Sequence, residues 1–270
     1  MATRFHVDVP LSAGVQIVLP PNATRHVQVL RLQPGAALTL FDGLGGQWQA
    51  EVLAMGRREV TVQVLAHAPV ECELPVAVTL ALGMPANERM DTVVEKAAEL
   101  GAAGLQPLVC ERSVLRVAGD RAQRKSEHWQ AVAVSACEQS GRNRVPEVAA
   151  AQPLRDWLRG WAAAVPGGVD GPAAPQGLLL SLDPQALPLW SWLAGRPRAV
   201  GADCAWQDRP RIVLLSGPEG GLSSTEQAAA VEAGFQPVSL GSRVLRADTA
   251  PLAALSTIAC WAAARIDPSA

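Results

Sequence analysis

The sequence predicts an α/β protein, in which a small β-rich domain precedes a larger one built on a parallel sheet with helices on both faces. Three observations predict this. Up to about residue 70, short alternating or apolar runs follow one another between the turn-formers PPN, QPG, DGLGG and MGRR. From Val76 the texture becomes strand, helix, strand, a βαβ unit that requires parallel pairing. Further on, the apolar run RIVLLS (Arg211–Ser216) stops at GPEGG, and a helix restarts where Ser223 and Glu226 form a capping box.

In the first domain, residues 1–72, the expected strands are Val15–Leu19, Ala37–Phe41, Trp48–Leu53 and Glu59–Leu65, and one helix spans Asn22–Leu30. DGLGG reads as a hairpin turn, since no strand-to-helix context surrounds it, and strands this closely spaced suggest a small barrel. The second domain, residues 73–270, begins with the strand Val76–Leu82. The helix Asn87–Leu100 follows, with Met90, Val93, Val94, Ala97 and Leu100 on one face and Gly101 closing it. The strand GLQPLVC and a helix from about Asp120 to Gln139 come next, with Trp129, Val132, Ala133 and Ala136 inward. LLLSL (Leu178–Leu182) is a buried strand, flanked by two Pro/Gly-rich surface excursions at 166–177 and 194–211. Arg211–Ser216, a helix ending near Gly234, the strand Pro237–Gly241 and a last helix to about Arg265 complete the chain.

Composition excludes several classes. With 49% hydrophobic and 18% charged residues the chain is of the soluble globular type, not the disordered one. No apolar stretch has the length of a membrane span and MATRFHVDVP lacks a signal-peptide core, so a cytoplasmic protein is expected. Five scattered cysteines without CxxC spacing argue for reduced thiols, and four histidines without HxxH or HExxH spacing argue against a metal. The net charge of −2 gives no basic footprint of the usual nucleic-acid kind, although a local cluster counts for more than the sum.

Three stretches could carry chemistry. GPEGG lacks the Gly-Lys-Ser/Thr of a phosphate loop, and Glu219 would repel an anion, so a neutral or cationic ligand is favoured over a phosphate, while an ordinary glycine-rich strand–helix turn fits the stretch equally well. SLGSRVLRADTAP places Arg246 just before Asp248-Thr249-Ala250-Pro251. Arg246 there is either a surface partner of Asp248 or a functional cation, while Asp248 or Thr249 can cap the last helix. CEQSGRNRVPE crowds Glu138, Gln139, Arg142, Asn143 and Arg144 at a helix end. Those forks and amides suit phosphates and base edges, and equally a helix C-terminus that favours cations.

In combination these stretches say more. RFHVD, HVQVLRLQPGAALTLFDG, ERMDTVVEKAAELG, ERSV, EQSGRNRVPE, SGPEGGLSSTE and LGSRVLRADTA occur in one order over nearly the whole chain. The sequence strongly resembles the RsmE family, which methylates N3 of a uridine in the 16S RNA of the small ribosomal subunit. The resemblance implies a PUA-like barrel for RNA and a C-terminal SPOUT domain with a trefoil knot, S-adenosylmethionine as cofactor, and a homodimer through the C-terminal domain. It places the cofactor among three loops: Leu180, Ser181 and Leu182; Ser216, Gly217, Pro218, Glu219, Gly220 and Gly221; and Leu240, Gly241, Val244, Leu245 and Arg246. It assigns RNA contacts to Arg4, Arg25, Arg31, Arg112, Gln139, Arg142, Asn143 and Arg144. Where the family usually reads Arg-Thr-Glu-Thr-Ala, this chain has Arg246-Ala247-Asp248-Thr249-Ala250.

Uridine N3 is protonated at neutral pH and lies on the pairing edge, so the base must be unpaired before it can react. Arg246 is the expected electrophilic catalyst, with Asp248 and Glu138 the candidate proton acceptors. Two rival readings are an RNA-binding ribosome-assembly factor with a vestigial cofactor pocket, and a nucleotide-dependent enzyme using GPEGG for phosphate. The apolar residues Leu252, Leu255, Ile258 and Trp261 of the last helix are the expected dimer surface, unless they fill the monomer core.

Overall fold

The computed structural model describes residues 3–86, 88–115, 119–164, 174–196 and 204–263. They form two compact units, the first made of Met1–Glu73 with Val134–Val145, the second of Leu74–Ala133 with Pro146–Ala270.

The first unit contains β1 (Arg4–His6), β2 (Gln16–Val18), α1 (Pro21–Val29), β3 (Ala37–Phe41), β4 (Gln47–Met55) and β5 (Val60–Ala68). These strands make one sheet in the order β1-β3-β4-β5-β2, antiparallel except for β1 against β3. Alternation sends Leu38, Leu40, Ala50, Val52, Val60, Val62 and Val64 to one core, with Phe5, Leu19, Ala23 and Val27. α1 starts at Pro21, where the missing N–H costs nothing. β1 was not legible as a strand, because three residues are too few to establish a period.

The second unit begins with β6 (Ala77–Gly83), α2 (Glu88–Glu99), β7 (Gly104–Val109) and α3 (Gly119–Ser140), whose last turns belong to the first unit. Next come β8 (Glu147–Val148), β9 (Gln152–Pro153), α4 (Leu154–Ala164), β10 (Gln176–Leu180), β11 (Leu187–Pro188) and α5 (Leu189–Ala194). β12 (Arg211–Ser216), α6 (Ser224–Glu232), β13 (Gln236–Ser239) and α7 (Thr249–Ala263) end the described chain. The strands form one parallel sheet, β11-β13-β10-β12-β6-β7-β8, with β9 also pairing β7. Its central strands are buried on both sides, which is why they read as apolar runs without alternation.

α2 and α3 bury the faces that periodicity assigned to them, including Met90, Val93, Val94, Ala97, Trp129, Ala133 and Ala136. The buried Trp129 Nε1 donates to Asp91 Oδ1 at 2.9 Å. Two helices went unread in the sequence. α4 hides in a segment of mixed polarity, and its Trp157 and Trp161 stack near Phe235. α5 is a single turn and a half, begun by Pro188. Of the two Pro/Gly-rich excursions, residues 165–173 and 197–203 lie outside the described residues, as do the expected helix limits at Asn87 and Arg265.

Candidate active site

The capping box between Ser223 and Glu226 is formed. Ser223 Oγ accepts from Glu226 N–H at 3.2 Å, and Glu226 Oε2 accepts from Ser223 N–H at 2.9 Å. The other carboxylate oxygen of Glu226 accepts from Glu111 N–H at 2.8 Å, tying the start of α6 to the loop after β7. α6 therefore begins at a fixed point, and the loop Ser216–Leu222 is held at both ends.

That loop and its two neighbours bound a cleft of about 830 Å³. β13, β10 and β12 are adjacent in the sheet, so their carboxyl ends bring together Leu240–Ala247, Leu180–Asp183 and Ser216–Leu222. Every residue expected to hold the cofactor lines this cleft. Arg89, Arg112, Asp183, Leu222, Gln227, Val238, Arg243, Ala247 and Ala250 also line it and were not expected there. The missed residues come from α2, α6, β13 and α7, from the loop after β7 and from positions beside the expected ones, which no local motif singles out.

The glycines of GPEGG serve the loop's own packing. A Cβ on Gly217 would sit 2.8 Å from Leu222 N, and one on Gly220 would sit 2.9 Å from Arg112 Cβ. Gly83, at the end of β6, leaves room for Pro218, whose ring would be 2.5 Å from an added Cβ. Gly221 has φ +68 and open space around it, so it serves the turn that Gly221 N–H closes onto Pro218 O at 2.8 Å. The close approach at Gly220 is thus to Arg112.

The charges also differ from expectation. Glu219 does not face the cleft as a free anion. Its Oε1 accepts from Ala86 N–H at 2.9 Å and lies 3.6 Å from Arg89 Nη1. Arg112 Nη1 donates to Gly220 O at 3.1 Å. Arg243 and Arg246, on the loop after β13, add two more cations to the cleft, and sequence spacing alone could not place them there. Arg246 forms no ion pair with Asp248, and among the described residues its guanidinium has no partner. Its carbonyl accepts from Thr249 and Ala250 N–H at 3.0 and 2.9 Å, fixing the residue at the start of α7.

These walls fit S-adenosylmethionine. Ser216 Oγ is buried at the end of β12 without a hydrogen-bond partner among the described residues, a polar atom that a ligand can satisfy. Leu182 and Val244 are large apolar side chains exposed at 68% and 78% while lining the cleft, as an adenine ring requires of its flanks. The arginines can meet a carboxylate, and the carboxylate of Asp183 an ammonium. Among the described residues no group of three His, Cys, Asp or Glu side chains could hold a metal ion.

Neither proton acceptor named from sequence is among the residues that line this cleft. Asp248 is absent from its lining, and its Oδ1 accepts from the Thr249 hydroxyl at 3.3 Å. Glu138 belongs to the first unit, where its Oε1 accepts from His6 N–H at 2.9 Å. The cleft's carboxylates among the described residues are Asp183 and Glu219 instead.

Several arginines and amides expected to touch RNA are internal ties. Arg142 is buried and pairs through Nε and Nη2 with the buried Glu73 at 2.9 and 2.5 Å. Burial works against the Arg142 charge, but Glu73 outweighs it and holds the guanidinium's pKa above its ordinary value. Asn143 is fully buried, accepting from Arg4 at 2.7 Å and donating to Val70 O at 2.6 Å. Arg4 also donates to Gln47 and lies over the Phe41 ring, and its burial lowers its pKa. Arg144 pairs with Glu71 at 3.1 Å. These four are corrected from RNA ligands to struts of the first unit, because each has side-chain donors engaged inside the fold. Cys137 beside them is pushed up to about 12 by burial and is an inert thiol. Arg25, Arg31 and Gln139 are exposed, as an RNA contact must be.

Comparison with known proteins bears on the same geometry. A family model described as an RNA methyltransferase domain matches residues 72–259, and one described as an RNA methyltransferase PUA domain matches residues 19–65. The chain is 37% identical over 262 residues to the ribosomal RNA small subunit methyltransferase E of Synechocystis, covering 96% of this chain and 77% of that one. It is 28% identical to the protein of the same name from Bacillus subtilis, covering 86% and 84% of the two chains. Among solved structures, the ribosomal RNA small subunit methyltransferase E of Neisseria gonorrhoeae bound to S-adenosyl methionine superposes with a TM-score of 0.77 at 33% identity, covering 96% and 97%. A Legionella pneumophila protein in complex with bound SAM superposes with a TM-score of 0.79 at 31% identity, with the same coverage.

Proposed function

Since the chain belongs to the RNA methyltransferase family whose members include the ribosomal RNA small subunit methyltransferases E, we propose that it methylates N3 of a uridine in 16S ribosomal RNA, using S-adenosylmethionine. The observation that carries this reading is the cleft itself: three loops from adjacent parallel strands, an unsatisfied Ser216 Oγ, and a guanidinium at Arg246 with no internal partner. When bound, S-adenosylmethionine supplies a methyl group on a sulfonium, which leaves as a neutral thioether.

The chain's own residues do the rest. Leu182 and Val244 would hold the cofactor's apolar part and exclude water from it, Ser216 would supply one polar contact, and the GPEGG loop holds its position through Arg89 and Arg112. Arg246 faces the uracil, where its charge favours the form of the base that has lost the N3 proton. A cation beside a uracil oxygen raises the ionised fraction at a given pH, so water can take the proton without a dedicated carboxylate. The PUA domain serves RNA, and the small ribosomal subunit, hence the cytoplasm, is where the substrate is met.

Methyl transfer from labelled S-adenosylmethionine to purified, unmethylated small subunits tests the assignment. Label recovered as N3-methyluridine is the expected result. Cofactor binding without any transfer would favour an assembly factor with a vestigial pocket, and label on a ribose or another base would overturn the N3 assignment.

The homodimer rests on a different surface from the one expected. Leu255, Ile258 and Trp261 are buried within the unit, so three of the four residues named for the interface fill the core. The rest of α7 is nonetheless uncharged from Thr249 to Ala263, with Leu252, Ala253 and Ala259 half-buried and Cys260 exposed. α5 packs beside it and exposes 60% of Trp190. An uncharged helix that leaves apolar residues half-covered needs a second cover, and a second copy of this chain supplies it. Light scattering should report twice the monomer mass at micromolar concentration, and Ala253→Glu should halve it; a monomeric parent would remove the idea.

A further inference from the structure

We propose that the RNA surface of the first unit is a basic patch formed by the C-terminal end of α1 and the β4–β5 turn, with Arg31, Arg57 and Arg58 as its phosphate contacts. The inference rests on the reading that this chain acts on ribosomal RNA and names where its first unit meets that RNA.

The seven arginines of the first unit divide into two sets. Arg4, Arg142 and Arg144 spend their donors on Gln47, Asn143, Glu73 and Glu71. Arg25, Arg31, Arg57 and Arg58 are exposed, and their guanidiniums have no partner among the described residues. This second set is not scattered. Gln28 Nε2 donates to Gly56 O at 3.0 Å and Arg57 O at 3.3 Å, clasping the β4–β5 turn against α1. Gln28 lies three residues from Arg25 and three from Arg31, so the clasp brings the turn's two arginines to the end of the helix that carries Arg25 and is followed by Arg31. Glu59 is the acid adjoining the turn, which leaves the patch strongly positive. Val29 and Leu30, 72% and 44% exposed, lie among these cations and offer apolar surface to sugars or bases.

Arg31 supplies a second, independent observation. It is the one non-glycine residue among the described residues with positive φ, at 53°. It occupies the left-handed position of a helix-ending motif in which Arg31 N–H bonds Gln28 O at 3.0 Å and Leu32 N–H bonds Val27 O at 3.2 Å. Glycine fits that position without strain. An arginine there costs stability and makes no internal bond with its side chain, so the cost is explained by something outside the fold. The partner that four clustered, unpaired guanidiniums fit is the phosphate backbone of RNA.

The test uses the full-length protein, the double variant Arg57→Ala/Arg58→Ala and the single variant Arg31→Gly. Binding to purified small subunits and to deproteinised 16S RNA is measured over a series of salt concentrations. The double variant should bind both on the order of tenfold more weakly, and its salt dependence should shallow by about one unit of slope per arginine removed. Arg31→Gly should melt at a higher temperature yet bind RNA more weakly, a combination that a purely structural arginine would not give. Restoring charge with Arg57→Lys/Arg58→Lys should recover most of the salt slope. Unchanged affinity and slope in the double variant, with the parent binding RNA normally, would overturn the patch and leave the methyltransferase reading intact. Weaker binding to subunits with unchanged binding to free RNA would overturn it in favour of a ribosomal protein as partner. Failure of the parent protein to bind either would sink the functional reading and the patch together.

Discussion

Gly220→Val is expected to weaken S-adenosylmethionine binding by roughly ten- to a hundredfold while leaving far-ultraviolet circular dichroism unchanged. The first atom of the new side chain would sit 2.9 Å from Arg112 Cβ and 3.2 Å from Arg112 O. One of the two chains must move. Arg112 is poorly placed to do so, because its neighbour Glu111 is bonded through its N–H to Glu226 at 2.8 Å. The loop Ser216–Gly221 therefore gives way, and with it the wall that carries Ser216 and Pro218. Overpacking of this kind typically costs about 1–3 kcal/mol, which appears here as lost affinity because the displaced atoms line the cleft. Gly221→Ala is the comparison. Its Cβ meets nothing within 4 Å, so only the left-handed φ of +68 is strained, and a milder loss of about 1 kcal/mol follows. Calorimetric titration with S-adenosylmethionine orders the two, and equal or absent losses would show that the loop tolerates displacement from Arg112.

The reason this loop was legible, and others were not, lies in how local its signals are. A capping box and a glycine-rich break after a branched strand are each visible within a few residues, and the structure forms both at Ser216–Glu226. β3 and β12 coincide with their apolar runs to the residue for the same reason. Which strands lie side by side is a different kind of information. β10, β12 and β13 come together although α5 and α6 intervene along the chain, and only the resemblance anticipated that their three loops meet. The same limit explains the errors at the polar residues. Arg142 and Asn143 read as exposed because arginine and asparagine usually are. Their burial depends on Glu73 and Val70, about seventy residues away in sequence. A motif shows which donors are present, and only the fold shows which of them are already engaged. Arg246 is the opposite case: bare spacing paired it with Asp248, and the structure leaves its side chain uncommitted at the cleft.

That uncommitted side chain makes the largest expected kinetic effect fall on Arg246→Ala, a drop of about a hundredfold in single-turnover methyl transfer with near-normal cofactor affinity. Losing one preorganised donor aimed at developing charge costs about 3 kcal/mol. The fold should tolerate the change, because what Arg246 gives to α7 is its carbonyl, which accepts from Thr249 and Ala250 whatever the side chain. Arg246→Lys keeps the charge but loses the planar fork, so it should recover only part of the rate. The pH dependence supplies a sharper readout. With the guanidinium present, the rate rises with pH until the uracil's N3 proton is gone. Without it, that rise should shift to higher pH, since the uridine anion loses the cation that favoured it. A variant with normal cofactor affinity, a slower rate and an alkaline-shifted profile identifies Arg246 with the transition state. Loss of cofactor binding alone would make it a wall of the pocket, and an unchanged rate would return it to the surface.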